Sequence, residues 1–144
     1  MPALRRLIET ALYVEDAPTA ARFYREVLGL EPVGEPDERD AFFWVGDSIL
    51  ILFKADITLQ GGELPAHDAR GPGHIAFEIA PGEVEEWKQR LTAHGVAIEH
   101  DWTDATGTSL YFRDPAGNLL ELITESRWHR WHPECKGTET SPSP

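Results

Sequence analysis

Glu9 and His74 open two stretches of sequence that repeat one another, and both carry donors that bind divalent cations. From Glu9 to Val33, and again from His74 to Val96, the chain reads as a short strand, an amphipathic helix of about three turns, a glycine and a further apolar stretch. Gly29 follows Glu9 by 20 residues and Gly95 follows His74 by 21. A repeat of roughly sixty residues with a possible ligand at the head of each copy predicts two half-barrels closing on one site. A further carboxylate, Glu121, sits in the run Leu-Leu-Glu-Leu-Ile. Flanked by four apolar residues, it costs desolvation free energy unless a cation or hydrogen bonds compensate. Taken singly, Glu9 reads equally well as a solvated strand residue, and His74 reads better as a satisfied structural histidine than as a ligand.

The elements that must hold these groups are legible from periodicity. Thr10, Leu12 and Val14 share one face of the first strand, and Glu9, Ala11 and Tyr13 share the other. Asp16 offers a helix N-cap with Pro18 in the first turn. Ala20, Phe23, Val27, Tyr24 and Leu28 form the apolar stripe, and Gly29 ends the helix. In the second copy Ile75, Phe77 and Ile79 oppose His74, Ala76 and Glu78. Pro81 opens a helix striped by Val84, Trp87 and Leu91, and Gly95 ends it. Two hairpins follow the helices: residues 41–45 with 49–53, and 109–113 with 119–124. Each module is therefore strand, helix and three strands. Aligning the turn glycines Gly46 and Gly117 sets Leu50 opposite Glu121.

Residues 54–72, rich in glycine and proline, read as a linker between modules of about 5–53 and 73–124 in one domain, 1–124. The tail, 125–144, ends in a Gly/Thr/Ser/Pro-rich stretch expected to be loose. Trp128 and Trp131 are candidate plugs or subunit contacts, and His129, His132 and Cys135 recur every third residue. At 144 residues the chain can bury a core without staples. Its formal charge of −12 argues against nucleic acid and anionic membranes. One cysteine, no apolar run of spanning length and no signal-like N-terminus predict a cytoplasmic protein. His67 and His94 read as surface or helix-end residues, and Glu83, Glu85 and Glu86 as a solvated helix start. Tyr13 and Glu78, about 13 Å along their strands from Glu9 and His74, belong at a rim.

Through ETALYVEDAPTAARFYREVLGL, GPGHIAFEI and SLYFRDPAGNLLELIT, residues 5 to 124 resemble the vicinal oxygen chelate superfamily. That group contains glyoxalase I, extradiol dioxygenases, methylmalonyl-CoA epimerase and the fosfomycin- and bleomycin-resistance proteins. The resemblance implies an α+β fold of two βαβββ modules, forming a cupped, half-barrel mixed sheet with helices outside. It also implies ligands from the first and last strands of each module, which fall here on Glu9, Leu50, His74 and Glu121. Three of these can bind a metal and Leu50 cannot. The set departs from both the four-ligand glyoxalase pattern and the two-histidine, one-carboxylate dioxygenase pattern. It suits Mn, Mg, Zn or Ni better than an iron(II) triad, although Fe stays among the candidates.

The expected activity is metal-assisted proton transfer on a small molecule that chelates the ion through two neighbouring oxygens. Glu121 is the first choice for the base and Glu9 the second. Phe43, Trp44, Leu50 and Leu52 are expected to line the cup, with Tyr111 as an acid/base and Arg113 as an anion anchor. Arg113 serves equally as a local structural contact. Two alternatives follow from the same resemblance: a metal-free cup that sequesters an antibiotic, and an extradiol-type dioxygenase. The family habit of pairing implies a homodimer, with the site completed within one chain or across two.

Overall fold

The computed structural model describes residues 1–2 and 4–124, so the tail with Trp128, His129, Trp131, His132 and Cys135 lies outside the described residues. The elements run β1 (Glu9–Val14), α1 (Ala17–Glu26), β2 (Glu31–Pro32), β3 (Asp40–Val45), β4 (Ser48–Lys54), α2 (Ala55–Thr58), β5 (His74–Ile79), α3 (Val84–Ala93), β6 (His100–Asp104), β7 (Gly107–Arg113) and β8 (Leu119–Thr124). They form two open four-stranded sheets, in the orders β1-β4-β3-β2 and β5-β8-β7-β6. In the first, β1 runs parallel to β4 while β3 and β2 are antiparallel to their neighbours. This is the expected α+β pair of strand-helix-three-strand modules. Two compact units result: residues 1–74 with 113–119, and residues 75–112 with 120–124.

In the first unit α1 begins where the Asp16 side chain accepts a hydrogen bond from Thr19 N at 2.9 Å. Pro18 stands in its first turn, where a missing N–H is harmless, and Gly29 takes φ +70° just beyond its end. The buried side of the helix carries Ala17, Ala20, Ala21 and Tyr24. The Tyr24 ring lies 6.0 Å from that of Phe43, which identifies the sheet face that the helix covers. Leu12, Val14, Ala41, Phe43, Leu50 and Leu52 all belong to that face and are buried. Each fully buried Leu or Phe there contributes about 1.5–3 kcal/mol. Phe43, Leu50 and Leu52 therefore pack beneath α1 and do not line a cup. Alternation divides a strand into two faces without saying which one a helix takes, and the apolar residues fill the helix side first.

The β7–β8 turn is tied into the first unit. Asp114 Oδ1 accepts from Ala116 N and Asn118 N, while its Oδ2 accepts from Tyr24 Oη at 2.9 Å and Asn118 Nδ2 at 3.0 Å. Asn118 in turn donates to Tyr13 O at 3.1 Å and accepts from Gly73 N at 2.7 Å. Helix α1, strand β1 and the approach to β5 are thus joined through two buried side chains of one turn.

In the second unit a 3₁₀ turn, Pro81–Glu83, leads into α3, whose Leu91 is fully buried, and Gly95 closes it with φ +69°. Lys88 bridges Glu85 at 3.0 Å and Asp101 at 2.7 Å, linking α3 to β6. Leu110, Phe112, Leu120 and Leu122 fill the core beside it.

Candidate functional site

The face of the first sheet turned away from α1 has three cross-strand rows. Glu9 is in register with Ile49 and Trp44, Ala11 with Ile51 and Phe42, and Tyr13 with Phe53 and Asp40. Glu9 is exposed at one end of this face. Trp44, 48% exposed, lies in the same row beyond Ile49. The face turned away from α1 accordingly carries Ala11, Phe42, Trp44, Ile49 and Ile51, which, Trp44 apart, is displaced by one residue from the set alternation suggested.

The same one-residue step changes the internal correspondence. Ile49 N donates to Ile8 O at 2.9 Å, and Leu119 N donates to Gly73 O at 2.9 Å. Leu119 is therefore the counterpart of Ile49, and Glu121 is the counterpart of Ile51 rather than of Leu50. The first module places an apolar residue where the second places a carboxylate. Glu121 is 7% exposed, between Leu120 and Leu122, both in the core. A carboxylate so enclosed requires hydrogen bonds or a cation as compensation.

His74 is exposed at the start of β5, the strand beside β8. Its Nδ1 lies 3.0 Å from Leu119 O. A carbonyl only accepts, so Nδ1 carries the proton, and in the neutral ring the lone pair is on Nε2. This is how ligating histidines are commonly oriented. Gly73 leaves little room next to it: a Cβ there would stand 2.8 Å from Leu12 Cδ2 and 3.3 Å from Asn118 Oδ1, so the Leu12 side chain would have to shift. By type, an imidazole and carboxylates, the groups singled out in the sequence, are donors that divalent cations accept. Among the described residues no group of three or more His, Cys, Asp or Glu side chains is gathered within one chain closely enough to hold an ion.

Tyr111 is half-buried on β7 in register with His100, their rings 6.0 Å apart. Arg113 donates from Nη1 to Gly117 O at 3.1 Å and so braces the β7–β8 turn. Glu78 is exposed on β5. One contact escaped the sequence reading altogether: Tyr13 Oη lies 2.7 Å from His67 Nδ1, bringing a linker histidine onto the first sheet. Phe53 stacks edgewise on that imidazole at 4.8 Å. Burial, and after it the charge of Asp68, hold the Tyr13 phenol above its ordinary range. Nothing in the Gly/Pro-rich spacing around His67 announces this pairing.

Residues 6–122 match the Glyoxalase/Bleomycin resistance protein/Dioxygenase superfamily. The chain belongs to that superfamily. Among superfamily members of known structure it is similar to lactoylglutathione lyase from Agrobacterium tumefaciens, with 36% identity and a TM-score of 0.81 over 88% of this chain and 98% of that one. It is also 32% identical to the metallothiol transferase FosB of Staphylococcus saprophyticus, over 77% of this chain and 71% of FosB. A variant of the fosfomycin resistance protein FosX of Listeria monocytogenes, bound to Mn(II) and 1S,2S-dihydroxypropylphosphonic acid, shares 27% identity and a TM-score of 0.68, covering 90% of this chain and 100% of that one. Superfamily members therefore include metal-dependent, fosfomycin-modifying and lactoylglutathione-processing enzymes. Among the described residues no helix is long and apolar enough to cross a membrane.

Proposed function

We propose that this protein is a cytoplasmic, metal-dependent enzyme of the glyoxalase type, acting on a small molecule that offers two neighbouring oxygens to a divalent ion. Glu9, His74 and Glu121 would hold the ion. The observation that carries this reading is the pinned tautomer of His74, whose Nδ1 faces Leu119 O at 3.0 Å, on a strand next to the one bearing the enclosed carboxylate Glu121. When bound, the ion supplies Lewis acidity, stabilising negative charge on a substrate oxygen. The chain supplies the rest. Glu121, or else Glu9, accepts a proton from the carbon beside the chelating oxygens. Ala11, Phe42, Trp44, Ile49 and Ile51 offer an apolar wall that keeps water from the reacting carbon and receives a hydrophobic portion of the substrate. Mn(II) heads the candidate metals because the FosX relative carries it.

The test uses two probes suggested by the relatives, fosfomycin and lactoylglutathione. After chelation and reloading with Mn(II), the protein is expected to exchange deuterium into the lactoyl carbon in heavy water, or to open the fosfomycin epoxide to the diol by addition of a water that Glu121 deprotonates, followed by phosphorus NMR. Glu121→Gln is expected to slow that reaction by about 10²–10⁴-fold. Tight binding of either compound with no dependence on metal, and no turnover, would instead make the protein a sequestering cup.

A further inference from the structure

At the far end of the same sheet face from Glu9, the segment after β4 builds a cavity in the first unit that contains none of Glu9, His74 or Glu121. The chain from Thr58 to His67 doubles back so that His67 N donates to Thr58 O at 3.3 Å. Thr58 is buried and anchors the near end by donating its Oγ1 to Ala55 O at 3.2 Å. Gly61 and Gly62 take φ +70° and +153°, backbone states that side chains disfavour, and so permit the reversal. The far end is held by the imidazole of His67 against Tyr13 Oη and the Phe53 ring. A surface loop with both ends fixed is a common frame for binding.

This loop and the end of β4 enclose about 380 Å³, within the range of small-molecule sites. Arg39, Phe53, Glu63, Leu64, Pro65 and His67 set its chemistry. Arg39 engages Asp40 through Nε at 3.4 Å and interacts with the charge of Asp37, and among the described residues its terminal nitrogens make no hydrogen bond. The Glu63 carboxylate likewise has none among the described residues. One guanidinium and one carboxylate on the same small cavity discriminate by charge. A plain anion meets Glu63, a plain cation meets Arg39, and only a ligand bearing both charges satisfies the two.

We propose that this cavity binds a small zwitterion of the amino-acid class. The ligand's carboxylate pairs with Arg39 and its ammonium with Glu63. Its apolar part packs on Phe53, Leu64 and Pro65. Tyr13 and His67 are positioning residues that hold the loop in place.

The test is a two-dimensional amide NMR titration of the full chain with a chelator present, which separates it from any metal-dependent binding. Three probes share one ring: L-phenylalanine, phenylalaninamide without the carboxylate, and 3-phenylpropionate without the ammonium. L-phenylalanine is expected to shift the amides of Gly61, Gly62 and His67 saturably, and to bind at least about tenfold more tightly than either truncated probe, since each charge-assisted pair is lost in turn. Arg39→Gln is expected to erase its advantage over phenylalaninamide, and Glu63→Gln its advantage over phenylpropionate. Tyr13→Phe is expected to weaken all three alike. No saturable shift, equal binding of the three probes, or a ranking unchanged in both charge variants would overturn the proposal.

Discussion

Asp114 and Asn118 show how much a single turn can determine. Sequence pattern identifies Asp114-Pro-Ala-Gly-Asn118 as a hairpin turn, and the backbone bonds to Asp114 Oδ1 agree. It does not reveal that Tyr24, ninety positions earlier, delivers its hydroxyl to the same carboxylate. The only local hint is a phenol inside an apolar helical stripe, which has to find a partner when buried. Tyr24→Phe is expected to cost about 1–3 kcal/mol in urea unfolding, because it takes one hydrogen bond from a buried, charged acceptor. Burial, reinforced by the adjacent Asp114 charge, pushes the Tyr24 phenol well above its ordinary value near 10. The folded state therefore keeps a proton that the unfolded chain releases. This contribution is complete below pH 10 and declines as pH rises further, so Tyr24→Phe should also flatten the alkaline loss of stability.

At the level of elements, β1, β5, the two hairpins and the helices α1 and α3 follow from the sequence because each has a local cause: a period, a capping side chain or a glycine at positive φ; α2 falls inside the stretch read as a linker. The faces and the cross-module register do not follow in this way. The β3–β4 turn is short, with Gly46 three positions before Ile49, whereas Gly117 stands two positions before Leu119. Aligning the two glycines therefore slips the correspondence by one residue, and in a strand one residue exchanges the faces. Hence Leu50 is not the partner of Glu121, and Phe43, Leu50 and Leu52 belong to the helix-covered core. Stability measurements separate the two faces. Leu52→Ala, at a fully buried position, is expected to cost about 2–5 kcal/mol. Trp44→Ala, on the opposite face, should change the urea midpoint far less while altering substrate binding.

At the scale of the whole molecule, the chain repeats one module and varies its chemistry: an exposed Glu opens the first copy, a tautomer-fixed His the second, and only the second carries a carboxylate on its last strand. The composition, with its charge of −12, suits a small-molecule partner rather than nucleic acid. We propose that two chains pair, Glu9 of one completing the site begun by His74 and Glu121 of the other. The measurement that tests this most directly is metal content per chain after equilibration with Mn(II), for the native protein, for Glu9→Ala, His74→Ala and Glu121→Ala, and for Glu9→Ala co-refolded with Glu121→Ala. Near-stoichiometric metal in the native protein, its loss in each single variant and its partial return in the mixed dimer are the expected results. Metal retained by His74→Ala and Glu121→Ala would contradict the site itself, and no return in the mixture would contradict its sharing between chains.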